Sequence, residues 1–271
     1  MSGEIVWLLS ALAAAGLFAG FIGGLFGLGG GVVMVPALFA VFSALGMDEA
    51  VRMHVAIATS LSTIISTAWR SLTAHAKVGA VDFAILRRWG PWITLGALLG
   101  AAIAGLANTN ALLIVFGVGL LVSAAQMGFG RSDWRLLPEL PRGGAGACLA
   151  AAIGLISAMM GIGGGTFGVP VMTLSGVPIH RAVATASGFG AAIALPAALG
   201  YVVIGWDRAG LPPWSLGFVS IPGFIILGVL TAITAPIGAR LAHRLPQLAL
   251  KQAFAALLAL IALNMLREAL S

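Results

Sequence analysis

One short pattern, present twice, carries most of the chemistry this chain can do. The first copy holds Gly27, Gly29, Gly30 and Gly31 with Pro36 after them. The second holds Gly161, Gly163, Gly164 and Gly165 with Thr166 and Pro170 after them. The shared skeleton is Gly-x-Gly-Gly-Gly, three variable residues, then Val-Pro. Three successive glycines oppose a helix by about 1 kcal/mol each, so each run predicts a break after which a new half-helix starts. A helix start presents unbonded N–H groups and about half a positive charge. Such an end is an anion site that needs no charged side chain. Glycine lets the ligand approach the backbone, and Thr166 is expected to cap the second half-helix.

Hydroxyls and imidazoles repeat with the glycines. His54-Val55-Ala56-Ile57-Ala58-Thr59 matches His180-Arg181-Ala182-Val183-Ala184-Thr185 at four of six positions. Thr59 and Ser60, and Thr185 and Ser187, are candidate donors to an oxyanion, although hydroxyls inside apolar helices also bond their own backbone. His54 and His180 are candidates for gating or proton linkage. Arg52 and Arg181 stand next to them and are candidates for drawing anions to the two entrances. Gly16, Gly20 and Gly24 lie four apart, the spacing that lets helices approach closely in lipid.

Other chemistries lack their residues. No lysine follows either glycine run, as a nucleotide-binding loop requires, and the dinucleotide spacing is missing. No second His or carboxylate stands at ligand spacing from His54 or His180, so no metal is expected. No nucleophile, base and acid cluster in sequence, so the chain reads as a non-enzyme without a cofactor. The single cysteine, Cys148, excludes an internal disulfide.

Membrane-spanning elements must position these groups. Sixty per cent of residues are hydrophobic, 8% are charged, and mean hydropathy is +1.09. Uncharged runs cover 43 residues from Ile5 to Met47, 42 from Trp89 to Gly130 and 31 from Ala209 to Ala239. About 20 apolar residues make one crossing. The fold class is therefore an all-α polytopic membrane protein. The segments read as Ile5–Phe26, Val32–Leu45, Met53 to Trp69 or Thr73, Pro91–Ala107 and Ala111–Gly130, then Ala145–Met160, Thr166–Ser175, Ala182–Ile204, Leu216–Ala239 and Ala249–Leu266. Loops between them include Ala74–Arg88, with Lys77, Asp82, Arg87 and Arg88. The domain plan is a first transmembrane repeat at 1–130, a cytoplasmic linker at 131–144 and a second repeat at 145–271.

Charge orients the plan. With the linker in the cytoplasm, eleven of the fourteen Lys and Arg fall at cytoplasmic ends. Only Arg52, Arg208 and Arg267 fall outside, a clear positive-inside bias. Five segments per half is odd, so the halves form inverted repeats and both termini lie outside. The same loops keep their sides if the glycine-flanked pairs are re-entrant hairpins, so the charges leave both arrangements open. All seven tryptophans sit near segment ends, as an aromatic belt does. The basic pI near 11 is then a membrane signal, and nucleic acid is not an expected partner. The expected partners are lipid and a small anion, and the sequence sets no oligomeric state. No carboxylate lies inside the apolar segments, although cation transporters generally need one.

Taken together, Gly23–Pro36 with Ala56-Ile57-Ala58-Thr59-Ser60, and Gly161–Pro170 with Ala184-Thr185-Ala186-Ser187, resemble the TauE/SafE family of sulfite exporters, also called TSUP transporters. The ending is similar as well, in Leu216-Gly217-Phe218-Val219, Pro236 to Arg244 and Leu250 to Phe254. The chain departs from the family's usual Thr-Ser at Ala186. The resemblance implies transport of sulfur-containing anions such as sulfite, sulfoacetate or thiosulfate across the cytoplasmic membrane, in the export direction. The alternatives are a cation or metal permease, with Met159 and Met160 as its only foothold, and an assembly protein that transports nothing. On the anion reading, Gly30→Ala or Gly164→Ala is expected to abolish flux without loss of expression.

Overall fold

The computed structural model describes residues 2–26, 30–129, 139–242 and 246–270. Ten helices lie among them: α1 (Ser2–Phe26), α2 (Gly31–Ala44), α3 (Glu49–Lys77), α4 (Phe83–Leu106), α5 (Thr109–Phe129), α6 (Gly143–Met160), α7 (Gly165–Leu174), α8 (Ile179–Ile204), α9 (Ile221–Ala242) and α10 (Gln247–Leu270). A two-stranded antiparallel hairpin, β1 (Ser215–Leu216) and β2 (Val219–Ser220), precedes α9. Six helices are long and apolar enough to cross a membrane (α4, α5, α6, α8, α9 and α10), and α2 and α7 are short apolar helices. This is an all-α polytopic membrane fold.

The packing exchanges partners between the halves. α1 lies along α9 and α6 lies along α4, while α5 pairs with α10 and α3 with α8. The first helix of each half thus docks on the fourth helix of the other. Small residues permit this. A methyl group at Gly20 would stand 2.5 Å from Thr231 Cα, and one at Gly16 would stand 3.2 Å from Leu230 Cβ. On the matching interface, methyls at Gly96, Gly100 and Gly154 would run into the facing backbone. Gly16 and Gly20 therefore serve close packing, as their spacing suggests.

The centre belongs to α3 and its neighbours. Val55 to Leu61 of α3 are buried without a break, and large apolar side chains exposed outward gather on α1, α4, α5, α8, α9 and α10. That outer belt faces lipid. Among the described residues the buried polar groups are hydroxyls, the His54 imidazole and the Trp89 indole N–H, and no Asp, Glu, Lys or Arg is buried.

Several boundaries differ from the sequence reading. α4 begins at Phe83, not Pro91, so Arg87 and Arg88 lie on its first two turns. Asp82 starts it early, accepting hydrogen bonds from the amides of Ala84 (3.0 Å) and Ile85 (3.1 Å). Lys77 likewise lies on α3, which runs past Thr73. The stretch from Leu216 to Ser220 is the hairpin rather than helix, because Trp214 (φ 58°) and Gly217 (φ 55°) are both left-handed. Trp89 does not join an interfacial belt. It is 1% exposed and stacks on Phe189 with ring centres 6.2 Å apart. Trp134 lies outside the described residues.

Candidate functional site

The second glycine run is a helix end, a short turn and a helix start. α6 closes on Gly161, which is left-handed (φ 68°), and the Ile162 amide reaches back to Ser157 O at 3.0 Å. That is the six-to-one bond of a glycine helix stop. α7 then starts at Gly165 with Gly164 before it, and the Gly168 amide makes the first helical bond, to Gly164 O. The first run differs at the residue before its helix: Gly30, immediately before α2, is left-handed (φ 76°), whereas Gly164 before α7 is right-handed (φ −66°). Gly27 and Gly29 lie outside the described residues. Pro36 and Pro170 are each the sixth residue of their short helix, and each withholds one amide from the helix ladder.

The two runs meet. A methyl on Gly31 would stand 3.2 Å from both Gly161 O and Ile162 Cα, and 2.8 Å from the Ile64 side chain. A methyl on Gly161 would meet Val35 of α2 at 2.9 Å and Ile57 Cα at 3.0 Å. Ser60 Oγ donates to Gly161 O at 2.8 Å. Ile57, Ser60 and Ile64 are central on α3, a helix about 43 Å long at 1.5 Å per residue. Both breaks therefore lie alongside the middle of α3 rather than at its ends. Ala186 occupies the position in the second half that matches Ser60, and it has no hydroxyl to offer.

The matched threonines do something the sequence did not suggest. Thr59 Oγ1 accepts a hydrogen bond from the Ser220 amide at 3.0 Å, and Thr185 Oγ1 accepts one from the Asp82 amide at 2.9 Å. Ser220 immediately precedes α9 and Asp82 immediately precedes α4. Each threonine thus satisfies the residue that opens the fourth helix of the other half. Each hydroxyl keeps its own proton for donation. Ser187, one position past Ala186, turns its hydroxyl onto Ala184 O of its own helix.

Thr166 does not cap α7: no side chain caps that helix start. Thr166 is the second helical residue, beyond the position from which a side chain can turn back on the first amides. Its hydroxyl is buried with no partner, and so is that of Ser157 in the last turn of α6. Ser157 escaped the sequence reading. The usable signal was its place in the repeat, since the matching position in the first half is Gly23.

The four charged or imidazole candidates separate. His54 is buried and stacks on Phe218 of the hairpin at 5.0 Å, and its Nε2 lies 2.9 Å from Ala104 O. A carbonyl only accepts, so Nε2 carries the proton; Nδ1 is buried without a partner. Arg52 is half-buried and committed to the end of α2, donating to Ser43 Oγ (3.1 Å) and Met47 O (3.0 Å). His180 and Arg181 are exposed at the start of α8. Arg181 pairs with Asp82 at 3.8 Å on the wall of an open cleft of about 290 Å³, which also holds Arg88, Glu139 and Arg142. Asp82 therefore links this cleft to Thr185.

A model of the sulfite exporter TauE/SafE family matches residues 12–265. The chain belongs to the sulfite exporter TauE/SafE family. Its relatives carry general names. A probable membrane transporter protein of Haemophilus influenzae is 29% identical, over 92% of this chain and 95% of its own length. One of Methanocaldococcus jannaschii is 24% identical, over 97% of each chain. The probable membrane transporter protein YunE of Bacillus subtilis is 30% identical, over 60% of this chain and 66% of its own. No solved structure matches the chain. TauE/SafE membership makes the chain a multi-pass membrane transporter. Both glycine runs and both matched threonines fall within the matched residues.

Proposed function

We propose that the chain is a secondary carrier that exports a small sulfur-containing anion, such as sulfite, an organosulfonate like sulfoacetate, or thiosulfate, across the cytoplasmic membrane. The contact of Gly31 with Gly161 and Ile162, beside the middle of α3, carries this reading. It sets the start of α2 against the turn between α6 and α7, where among the described residues no charged side chain is buried. Backbone amides at Gly30, Gly31, Gly163, Gly164 and Gly165 bind the anion, with hydroxyl protons from Thr59, Ser60, Thr185 and Ser187 adding donors as the halves rearrange. The basic cleft at Arg88, Arg142 and Arg181 is the cytoplasmic mouth. His54 with Phe218 closes the outer end, Arg52 holds α2 beside it, and His180 with Arg181 gates the inner end. The partner exchange of α1 with α9 and α6 with α4 fits two related repeats, and the positive-inside count supports their inversion with both termini outside. No ATP-binding motif is present, and a negative cell interior favours anion exit by about 2.3 kcal/mol per charge per 100 mV.

Gly163 gives the cleanest test. Among the described residues a methyl there meets only Ile64 Cγ2, at 3.7 Å, which is ordinary contact. Gly163→Ala should keep the fold and block approach of a ligand to the backbone. In proteoliposomes the wild type should carry sulfite, sulfoacetate or thiosulfate ahead of chloride, and Gly163→Ala should lose most of that flux. Wild-type vesicles that pass none of the sulfur anions, or undiminished flux in the variant, would refute the proposal.

A further inference from the structure

Buried hydroxyls in this protein are almost always used. Ser62, Thr63, Ser123, Ser175, Thr231 and Thr234 each donate to a carbonyl four residues back on their own helix. Thr59, Ser60 and Thr185 bond other elements. Among the described residues two hydroxyls break the pattern. Ser157 is 0% exposed, Thr166 is 6% exposed, and neither oxygen has a hydrogen-bond partner. Ser157 even declines the carbonyl one turn back, the choice its neighbours make. Both flank the same turn: Ser157 lies four residues before Gly161, and Thr166 stands on the first turn of α7. The first half has Gly23 and Val32 at the matching positions, so the repeat itself does not require hydroxyls there.

A buried hydroxyl that bonds nothing destabilises the chain that carries it. One in the last turn of α6 and one on the first turn of α7, where the ladder also leaves amides free, describe donors on either side of one turn waiting for an acceptor. We propose that Ser157 and Thr166 are ligand-contacting residues that make the anion site one-sided, with its buried side-chain donors on the second half. This rests on the anion-carrier reading above and says which half supplies the side-chain contacts.

The test uses the purified full chain in nanodiscs, with methanesulfonate and sulfate as probes. The two share an SO₃ face and differ in charge. Ser157→Ala and Thr166→Val are compared with wild type for ligand-free melting and for affinity. Thr166→Val installs the residue that Val32 already provides in the first half. Without ligand, both variants should melt at or above the wild-type temperature, since each removes an unpaired buried hydroxyl. Each should bind methanesulfonate about tenfold or more weakly, the usual loss for a hydrogen bond to a charged group. Unchanged affinity in both variants, or ligand-free melting that falls instead of holding, would overturn this inference while leaving an anion carrier standing. A wild type that binds neither probe would overturn both.

Discussion

Thr59 and Thr185 match in the repeat and make the same kind of bond, yet removing the two hydroxyls should have unequal effects. Thr59 is 0% exposed and its donor residue, Ser220, is 3% exposed. Valine at 59 keeps the volume and strands the Ser220 amide where water does not reach. That costs about 1–3 kcal/mol, or about 5- to 150-fold in the local opening equilibrium. At the other end, the Asp82 side chain is 23% exposed and borders the open cleft. Water there can replace the lost acceptor, so Thr185→Val should cost about 1 kcal/mol or less. Hydrogen exchange in nanodiscs reads both. A peptide spanning Val219 to Gly223 should exchange faster in Thr59→Val by the larger factor, and one spanning Ala80 to Ala84 should speed up only slightly in Thr185→Val. Thr59→Ser should restore protection. The reasoning fails if Thr59→Val exchanges like wild type, or if the effect at 185 is the larger.

Two further outcomes follow from the geometry. A methyl at Gly164 would stand 2.9 Å from Gly190 N and from Phe189 C, so α7 and α8 must part to admit it. Contrary to the sequence expectation, Gly164→Ala should lower stability, by about 1–3 kcal/mol. That is about 2–12 °C in melting temperature at the usual scaling for a chain of this size, visible in fluorescence-detected gel filtration, where Gly163→Ala should stay near wild type. Arg181→Gln breaks a pair whose arginine is 56% exposed, so stability should change by less than about 1 kcal/mol; if this cleft is the proposed mouth, anion entry there should fall at low salt and recover toward wild type as salt screens it.

Local features were legible in the residues. The glycine runs, the two short helices after them and the proline spacing follow from backbone chemistry acting over a few positions. The close approach at Gly16 and Gly20 was readable too, because four-residue spacing is itself a packing signal. The misreadings share one physical origin. Thr59 and Ser220 lie far apart in the chain, and no periodicity reports which hydroxyl meets which amide. Leu216 to Ser220 is apolar enough to pass for helix, and only left-handed Trp214 and Gly217 turn it into a hairpin under α9. Trp89 has the composition of a belt residue, but stacking on Phe189 draws it inward. Arg87 and Arg88 looked like loop residues because charge marks a membrane boundary, whereas Asp82 can start a helix outside the apolar zone.

The exchanged docking of first and fourth helices also sets an order of events at the ribosome. α1 ends at Phe26 and its partner α9 begins at Ile221, so nearly the whole chain must be made before α1 meets the surface it packs on. At about 5–20 residues per second that wait is roughly 10–40 s. α6 has no such delay, because α4 is already in the membrane when α6 emerges. One half is therefore assembled on a waiting template while the other waits for its own. Neither half, expressed alone, contains the partner for its first helix.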